Sequence, residues 1–468
     1  MMEEERTDIY RIEHDSMGDV KIPKDAYWGA QTERAIGNFP VSGIAFPPVF
    51  IRALSMIKQA CAIVNRDDGA LDVSMADAVI RASAEAASGK FDSQFPLDIF
   101  QTGSGTSTNM NANEVIATRA NELLSGQRHT THPVHPNDHV NMGQSSNDVI
   151  PSAIHTAVCL QTRAHLLPAL ELLEGELAMK ERQSQGIVKT GRTHLMDAVP
   201  ITFAQELSGW RSQIETARLE LIHAMEGLSE LALGGTAIGT GINAREGFGR
   251  KVCDRLSELT EIHFREASNH FQAQSSLDRL SVFSGALRTY ATSLLKISND
   301  LRLMNSGPFS GMGEIRLASL QPGSSIMPGK VNPVIPEAAR MVCLQVLGND
   351  MVVSTANAMG EFQLNVMLPV AAHNCLQSVS ILGSVTVLVA EKAIRTFDID
   401  REHAAYILGR NPIIATILNP VIGYEKAAQA VKKALAEKKT VKETVVELGF
   451  VSKEEAERLL DPIAMTHP

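Results

Sequence analysis

At 468 residues the chain is long enough for about two or three domains and a large buried core. Apolar residues at 44% and charged residues at 21% exclude a disordered chain, and 43 Lys plus Arg against 53 Asp plus Glu give a net charge of −10, the wrong sign for a nucleic-acid or anionic-membrane partner. The five cysteines (Cys61, Cys159, Cys253, Cys343, Cys375) are odd in number, scattered and without a C-x-x-C pair, which excludes a disulfide framework or a clustered iron–sulfur site and fits a reducing compartment. The opening Met1-Met2-Glu3-Glu4-Glu5 lacks the cationic start and apolar stretch of a secretory signal and is too acidic for a transit peptide, so a cytoplasmic location is expected.

Residues 101–148 are dense in Gly, Thr, Asn, His and Pro. Within them, Gly103-Ser104-Gly105-Thr106-Ser107-Thr108-Asn109 resembles a phosphate loop without its Gly-Lys-Ser/Thr ending, so nucleotide binding is not expected. His129, His132, His135 and His139 invite a metal reading. Pro133 and Pro136 break any helical H-x-x-x-H face, and no cysteine or zinc-peptidase glutamate lies near, so no metal is expected. Ser145-Ser146-Asn147-Asp148 precedes a helical run from Val149, where its side chains can cap the helix; a helix N-terminus also offers free N–H groups to a carboxylate.

Lys189 to Ile201 reads KTGRTHLMDAVPI, a short loop carrying Thr193-His194, and a lone histidine is first of all a structural residue. Next, Phe203, Leu207, Trp210, Ile214, Ala217, Leu221, Ala224 and Leu228 recur at alternating steps of four and three, the seam of a long helix. Gly234 to Gly241 follows that helix without the strand that precedes a dinucleotide turn and reads as a sharp inter-helix connection. A second seam runs through Leu280, Phe283, Leu287, Tyr290, Leu294, Ile297, Leu301 and Met304. Each seam is about 35–40 Å long at 1.5 Å per residue, so long helices packed lengthwise should form the middle of the protein.

The third polar loop, 306–333, ends in Gly323-Ser324-Ser325-Ile326-Met327-Pro328-Gly329-Lys330-Val331-Asn332-Pro333. Its glycines let the backbone turn N–H groups toward an anion, Lys330 and Asn332 can donate to one carboxylate, and the serines are candidate proton carriers. Taken alone, the stretch also reads as a plain surface loop. No charge occurs between Glu361 and Glu391, but Asn365, Pro369, His373, Asn374 and Gln377 would be costly in hydrocarbon, so a buried helix is expected there. Beyond Asp398 come a Lys-rich helical stretch at 425–443 and a last helix around Lys453–Leu460, which indicate a small C-terminal domain.

Taken together, these loops resemble those of the fumarase/aspartase superfamily over nearly the whole chain. The resemblance is carried by GSSIMPGKVNP at 323–333 with Glu337 beyond it, GSGTSTNMNANEV at 103–115, HPNDHVN at 135–141, QSSND at 144–148, GRTHL at 191–195, LALGGTAIGTGIN at 231–243 and FQLNVMLPV at 362–370. Within the superfamily the chain is most similar to the class II, iron-independent fumarases through His135, Ser145-Ser146, Gly329 and QTGSGT at 101–106. Ser107 in place of Gln, Met142-Gly143 in place of Lys-Ser and VIPE at 334–337 depart from that pattern and bear on the substrate.

The resemblance implies a mainly α fold in three parts: an N-terminal domain (1–145), a central five-helix bundle (146–397) and a small C-terminal domain (398–468). Four subunits would pair their bundles into a twenty-helix core with shared active sites. It further implies reversible hydration of fumarate to malate, with Ser324 as carbon base, His194 and Glu337 on the hydroxyl side, and Lys330 and Asn332 stabilising the intermediate. Ser104, Gly105, Thr106, Ser145, Ser146, Asn147, Thr193, Ser325 and Val331 would join Lys330 and Asn332 in binding a small dicarboxylate. His135, Pro136, Asn137 and Asp138 resemble a second dicarboxylate site. Proton transfer with elimination needs no cofactor. An aspartate ammonia-lyase, a non-catalytic structural protein on the same scaffold and, third, a metal hydrolase using the histidine cluster are the alternatives.

Overall fold

The computed structural model describes residues 9–466. It opens with an antiparallel hairpin, β1 (Tyr10–Asp15) and β2 (Gly18–Pro23), followed by α1 (Ala30–Asn38), α2 (Pro48–Asp67), α3 (Val73–Ala87) and α4 (Thr106–Ser125). Next, α5 (Ser146–Gln161) continues through a π turn at Thr162–Leu166 into α6 (Leu167–Gln183). A second hairpin, β3 (Val188–Thr193) and β4 (Met196–Thr202), leads into α7 (Phe203–Leu228). Then come β5 (Glu230–Leu231), α8 (Phe248–Thr260), β6 (Arg265–Glu266), α9 (His270–Ser275) and α10 (Asp278–Met304). The chain closes with β7 (Ile315–Arg316), α11 (Val334–Asn357), α12 (Leu368–Val389), β8 (Asp398–Ile399), α13 (Arg401–Arg410), α14 (Asn419–Ile422), α15 (Tyr424–Glu437), α16 (Val441–Glu447) and α17 (Lys453–Leu459).

Both apolar seams are where the periodicity puts them, on α7 and α10, and every seam position is buried. At about 1.5–3 kcal/mol for each large side chain taken out of water, these two stripes are a main source of the fold's stability. The uncharged run becomes α12, which with its π turn at Ala390–Ile394 is long and apolar enough to cross a membrane. Its Leu368, Ala371, Ala372, Cys375, Leu376, Val379 and Leu382 are buried in protein instead.

Two sequence readings change. Residues 188–202 form a strand hairpin rather than a loop: Val188, Thr190, Val199, Ile201 and Thr202 favour extended backbone, and a register shift at Gly191 accommodates the glycine. A two-residue strand, β5, does precede Gly234 and pairs in parallel with β6. The glycine loop opens no helix, however, since α8 begins only at Phe248.

The contacts divide the described residues into two compact units, one of 9–167, 219–289 and 344–382, the other of 168–218, 290–343 and 383–466. The boundaries fall inside five helical runs: α5–α6, α7, α10, α11 and α12. In the first unit, α2 packs on α3, α5 and α8, and Ser284 and Arg288 of α10 bond Asp350 of α11, whose neighbour Asn349 reaches Gln377 and Ser378 of α12. In the second, Arg211 and Arg218 of α7 pair with Glu181 and Glu174 of α6, and Tyr290 of α10 bonds Thr386 of α12. Helices α13, α15, α16 and α17 share an apolar cluster that includes Leu408, Ala430, Val441, Val445 and Ala456.

The second unit also buries a charge network. Lys189 of β3, 3% exposed, lies 2.8 Å from both Glu206 and Glu314, and Arg192 lies 2.7 Å from Glu314, itself 1% exposed. Removing one partner of such a group strands the others without water. We expect Glu314→Ala to cost about 3–5 kcal/mol in chemical denaturation, and Lys189→Met with Glu314→Ala to cost less than the sum of the single changes. Additive losses below about 1 kcal/mol each would show that the network is hydrated and energetically idle.

Candidate active site

In the first unit, two helix N-termini meet. Gly105 sits at the N-cap of α4 with φ +70, a left-handed conformation that favours glycine, and Gly103 lies so close to the Val366 carbonyl that a Cβ would come within 1.8 Å of it. The same turn presents Ser104, whose Oγ is 2.8 Å from Thr106 Oγ1; that hydroxyl is in turn 2.7 Å from Ser146 Oγ at the start of α5. Ser145 caps α5 in a capping box: its Oγ accepts the Asn147 N–H and its own N–H donates to Asp148. Asn147 donates to the Ala237 carbonyl. The capping expected for QSSND is therefore present. The linked hydroxyls of Ser104, Thr106 and Ser146 lie at the positive ends of two helices, an arrangement suited to a carboxylate.

Beneath this surface Asp148 is fully buried, and its carboxylate also accepts the N–H groups of Gly234 and Thr236. Burial outweighs those donors and pushes its pKa up to about 6. The glycine loop at 234–241 thus serves to present backbone donors to Asp148. Gly143, one of the departures from the family pattern, has φ +73 and a Cβ there would meet the Phe248 ring at 3.3 Å.

His135 caps a π turn at Pro136–Val140: its Nδ1 accepts the N–H groups of Asn137 and Asp138, and its own N–H donates to His139 Nδ1. His135, Pro136 and Asn137 line a cavity of about 570 Å³ together with Arg34, Gln31 and Thr130.

The second unit carries the other predicted residues. The 323–332 loop closes on itself: the Gly323 N–H donates to the Lys330 carbonyl at 2.9 Å, and Asn332 Nδ2 donates to the Gly323 carbonyl at 2.8 Å. A Cβ on Gly323 would come within 2.3 Å of the Lys330 oxygen, so the closure requires glycine. Inside the loop, Ser324 Oγ accepts two backbone N–H groups, from Ile326 at 3.2 Å and Met327 at 3.0 Å. Ser324, Lys330 and Val331 line an open cavity of about 460 Å³, and Ser325 and Lys330 are exposed. Glu337 lies in the first turn of α11.

Thr193 and His194 are exposed at the end of the β3–β4 hairpin, where His194 and Leu195 both have positive φ, 57° and 61°. Among the described residues, no hydrogen bond or ion pair joins His194 to Ser324 or to Glu337. The residues to which the sequence assigns no role are the buried supports: Lys58 under the 141–147 turn, and Lys189, Arg192 and Glu314 under the hairpin. A charged residue on an otherwise apolar helix face, as Lys58 is between Ile57 and Cys61, was the available signal.

Comparison with known proteins accounts for this set of loops. A lyase family model matches residues 18–348, and a model described as the fumarase C C-terminus matches 414–467. A class II fumarate hydratase from Xylella fastidiosa is 52% identical over 99% of this chain and 97% of its own length, and one from Mycobacterium tuberculosis is 50% identical over 97% and 96%. The crystal structure of class II fumarase from Schistosoma mansoni superposes with a TM-score of 0.96 at 39% identity, covering 98% of this chain and 99% of that one. With its motifs, its helical fold and nearly its full length in common with these proteins, the chain belongs to the class II fumarate hydratase family of the fumarase/aspartase superfamily.

Proposed function

We propose that the protein catalyses the reversible hydration of fumarate to (S)-malate by proton abstraction and elimination of water. The observation that carries the mechanism is the pair of N–H groups on Ser324 Oγ. A serine hydroxyl is too weak a base to remove a carbon proton, and an alkoxide at this position would be stabilised by both donors and by the nearby Lys330 charge. In the malate-to-fumarate direction Ser324 takes the proton from carbon, and the electron pair moves into the adjacent carboxylate. Lys330, Asn332 and loop N–H groups offset the added charge of this aci-carboxylate.

The hydroxyl then leaves as water, with His194 delivering the proton and Glu337 orienting the imidazole. Ser104, Gly105, Thr106, Ser145, Ser146, Asn147, Thr193, Ser325 and Val331 hold the two carboxylates, and His135 to Asp138 form a second dicarboxylate site. The reaction is redox-neutral and uses no cofactor. We also infer a cytoplasmic location, supported by five unpaired, buried cysteines.

We assign the working unit as a homotetramer with shared sites. Among the described residues, neither the His194 nor the Glu337 side chain makes a hydrogen bond or ion pair within the chain, and α11 exposes Met341, Leu344 and Met351, at 66%, 61% and 67% exposure, along one helical face. Apolar side chains repeating this way on a long helix suit a second copy of the same chain. The loops at 104–106, 145–147, 193–194 and 324–332 are separated in sequence by helices of up to 27 residues, about 40 Å, and antiparallel neighbours would bring loops of different chains to one pocket.

Malate should yield fumarate, followed by ultraviolet absorbance, and aspartate should not; equal or better turnover of aspartate overturns the assignment in favour of an ammonia-lyase. Ser324→Ala should lower kcat by about 10²–10⁴-fold with substrate affinity nearly kept. A near-normal kcat removes Ser324 from proton abstraction. Co-expressed Ser324→Ala and His194→Asn chains, each nearly inactive alone, should form hybrid tetramers with restored activity. Hybrids shown to form but no more active than their parents would put Ser324 and His194 of each pocket on one chain.

A further inference from the structure

Lys58 is a fully buried cation in the first unit that the proposed chemistry does not use. Its side chain is fully buried on α2, and its ammonium donates to two neutral amide oxygens, Asn141 Oδ1 and Gln144 Oε1, both at 2.9 Å. Those bonds fix which way each amide faces. With its oxygen turned to Lys58, Asn141 directs its Nδ2 to the Gln144 carbonyl, while Gln144 directs its Nε2 to the carbonyls of Val140 and Met142. The turn that delivers Ser145 and Ser146 to the head of α5 is thus tied together by two side chains oriented by one buried cation.

The charge has a second effect. The capping box of α5 uses a buried carboxylate, Asp148, directly behind the N–H groups that would receive a substrate dianion. Unopposed, that carboxylate would repel the dianion across a low-dielectric interior. Lys58 and Asp148 act on one another electrostatically, so the ammonium offsets the charge that the cap introduces.

We propose that Lys58 is a positioning residue for the dicarboxylate subsite formed by Ser104, Thr106, Ser145 and Ser146, holding the 141–144 turn in register and cancelling the Asp148 charge when a dianion binds. The inference rests on the hydratase reading above. Burial pushes the Lys58 pKa down to about 7, so the ammonium is held below that pH and lost above it. Two titratable groups act on it among the described residues: Asp148 on α5, and Cys61 one turn further along α2, whose thiol burial keeps protonated. From α4 only the amides of Asn109 and Asn113 face the cluster, through Asn141; on α8, Cys253 interacts with Cys61.

The test compares Lys58→Met, which removes donor and charge, with Lys58→Gln, which keeps a donor. We expect KM for malate and for fumarate to rise at least tenfold in Lys58→Met with kcat within about threefold, and Lys58→Gln to fall between it and the parent. Wild-type KM should climb as pH passes above about 7, and that limb should be absent from Lys58→Met. A purely structural role would lower the melting temperature and the active fraction while leaving KM and its pH profile in place. Either folded variant with parental KM and pH profile overturns the proposal.

If neither variant folds, calorimetry of fumarate binding to the Ser324→Ala, His194→Asn protein decides. At pH 7.5, above the Asp148 midpoint, binding should take up a fraction of a proton, and no uptake overturns the proposal. Wild-type protein that turns over neither malate nor fumarate would instead sink the hydratase reading.

Discussion

The structure depends on apolar seams buried along the whole length of long helices. The seams on α7 and α10 have a consequence for every functional residue. A side chain in the middle of such a stripe is committed to packing, so chemistry-bearing groups are confined to the helix ends and the loops beyond them. That is where the candidate residues lie: at the heads of α4, α5 and α11, at the tip of the hairpin before α7, and in the loop between α10 and α11. Loops are the least constrained parts of a chain, and general acid–base chemistry tolerates little misplacement. Something under each loop must therefore restore the precision that the helices supply elsewhere.

Buried charge provides it in both units. The Lys58 pKa of about 7 against an ordinary value of 10.5 corresponds to a stability cost on the order of 4–5 kcal/mol at neutral pH and below, relieved as pH rises toward 10.5. Asp148, raised to about 6, carries the opposite dependence: its cost is absent below pH 4 and complete above pH 6. Between pH 6 and 7 the two charges coexist, and each reduces what the other costs. A fold selected for stability alone would place a methionine and a leucine at such positions. Their positions under the Ser145–Ser146 turn make sense if the turn has to hold its geometry against a charged ligand.

Much of this was legible in the sequence, and the boundary between what was and was not is physical. Periodicity located α7 and α10 because each buries a continuous stripe, the uncharged run between Glu361 and Glu391 located α12, and QSSND announced the head of α5 because capping is a local interaction between adjacent residues. The closed 323–332 loop was foreshadowed by its glycines. The hairpin at 188–202 was not, because its strands are short and its turn has none of the usual Asn-Gly or Gly signals. Lys58 and Glu314 escaped because burial is a property of the folded surroundings; 83 residues separate Lys58 from Asn141, and 125 separate Lys189 from Glu314. Sequence motifs marked the candidate residues on the loops and passed over the buried groups beneath them.

The hairpin tip shows how far such support can be asked to go. Thr193 pairs with Met196, so His194 and Leu195 are the two central residues of a two-residue turn, both in the left-handed region that glycine and asparagine ordinarily fill. Holding two residues with side chains there costs on the order of 1–2 kcal/mol each. Neither side chain repays this by packing, since both are exposed. The compensation lies at the base of the hairpin, where Lys189 and Arg192 of β3 grip the buried Glu314 and Asn411 bonds the Ala198 carbonyl of the facing strand. With both strands fixed below, the chain has only two residues in which to reverse, and the strained turn is imposed on it. The backbone at His194 therefore stands on a rigid stem, which is the support the proposed proton-carrying role would ask of it.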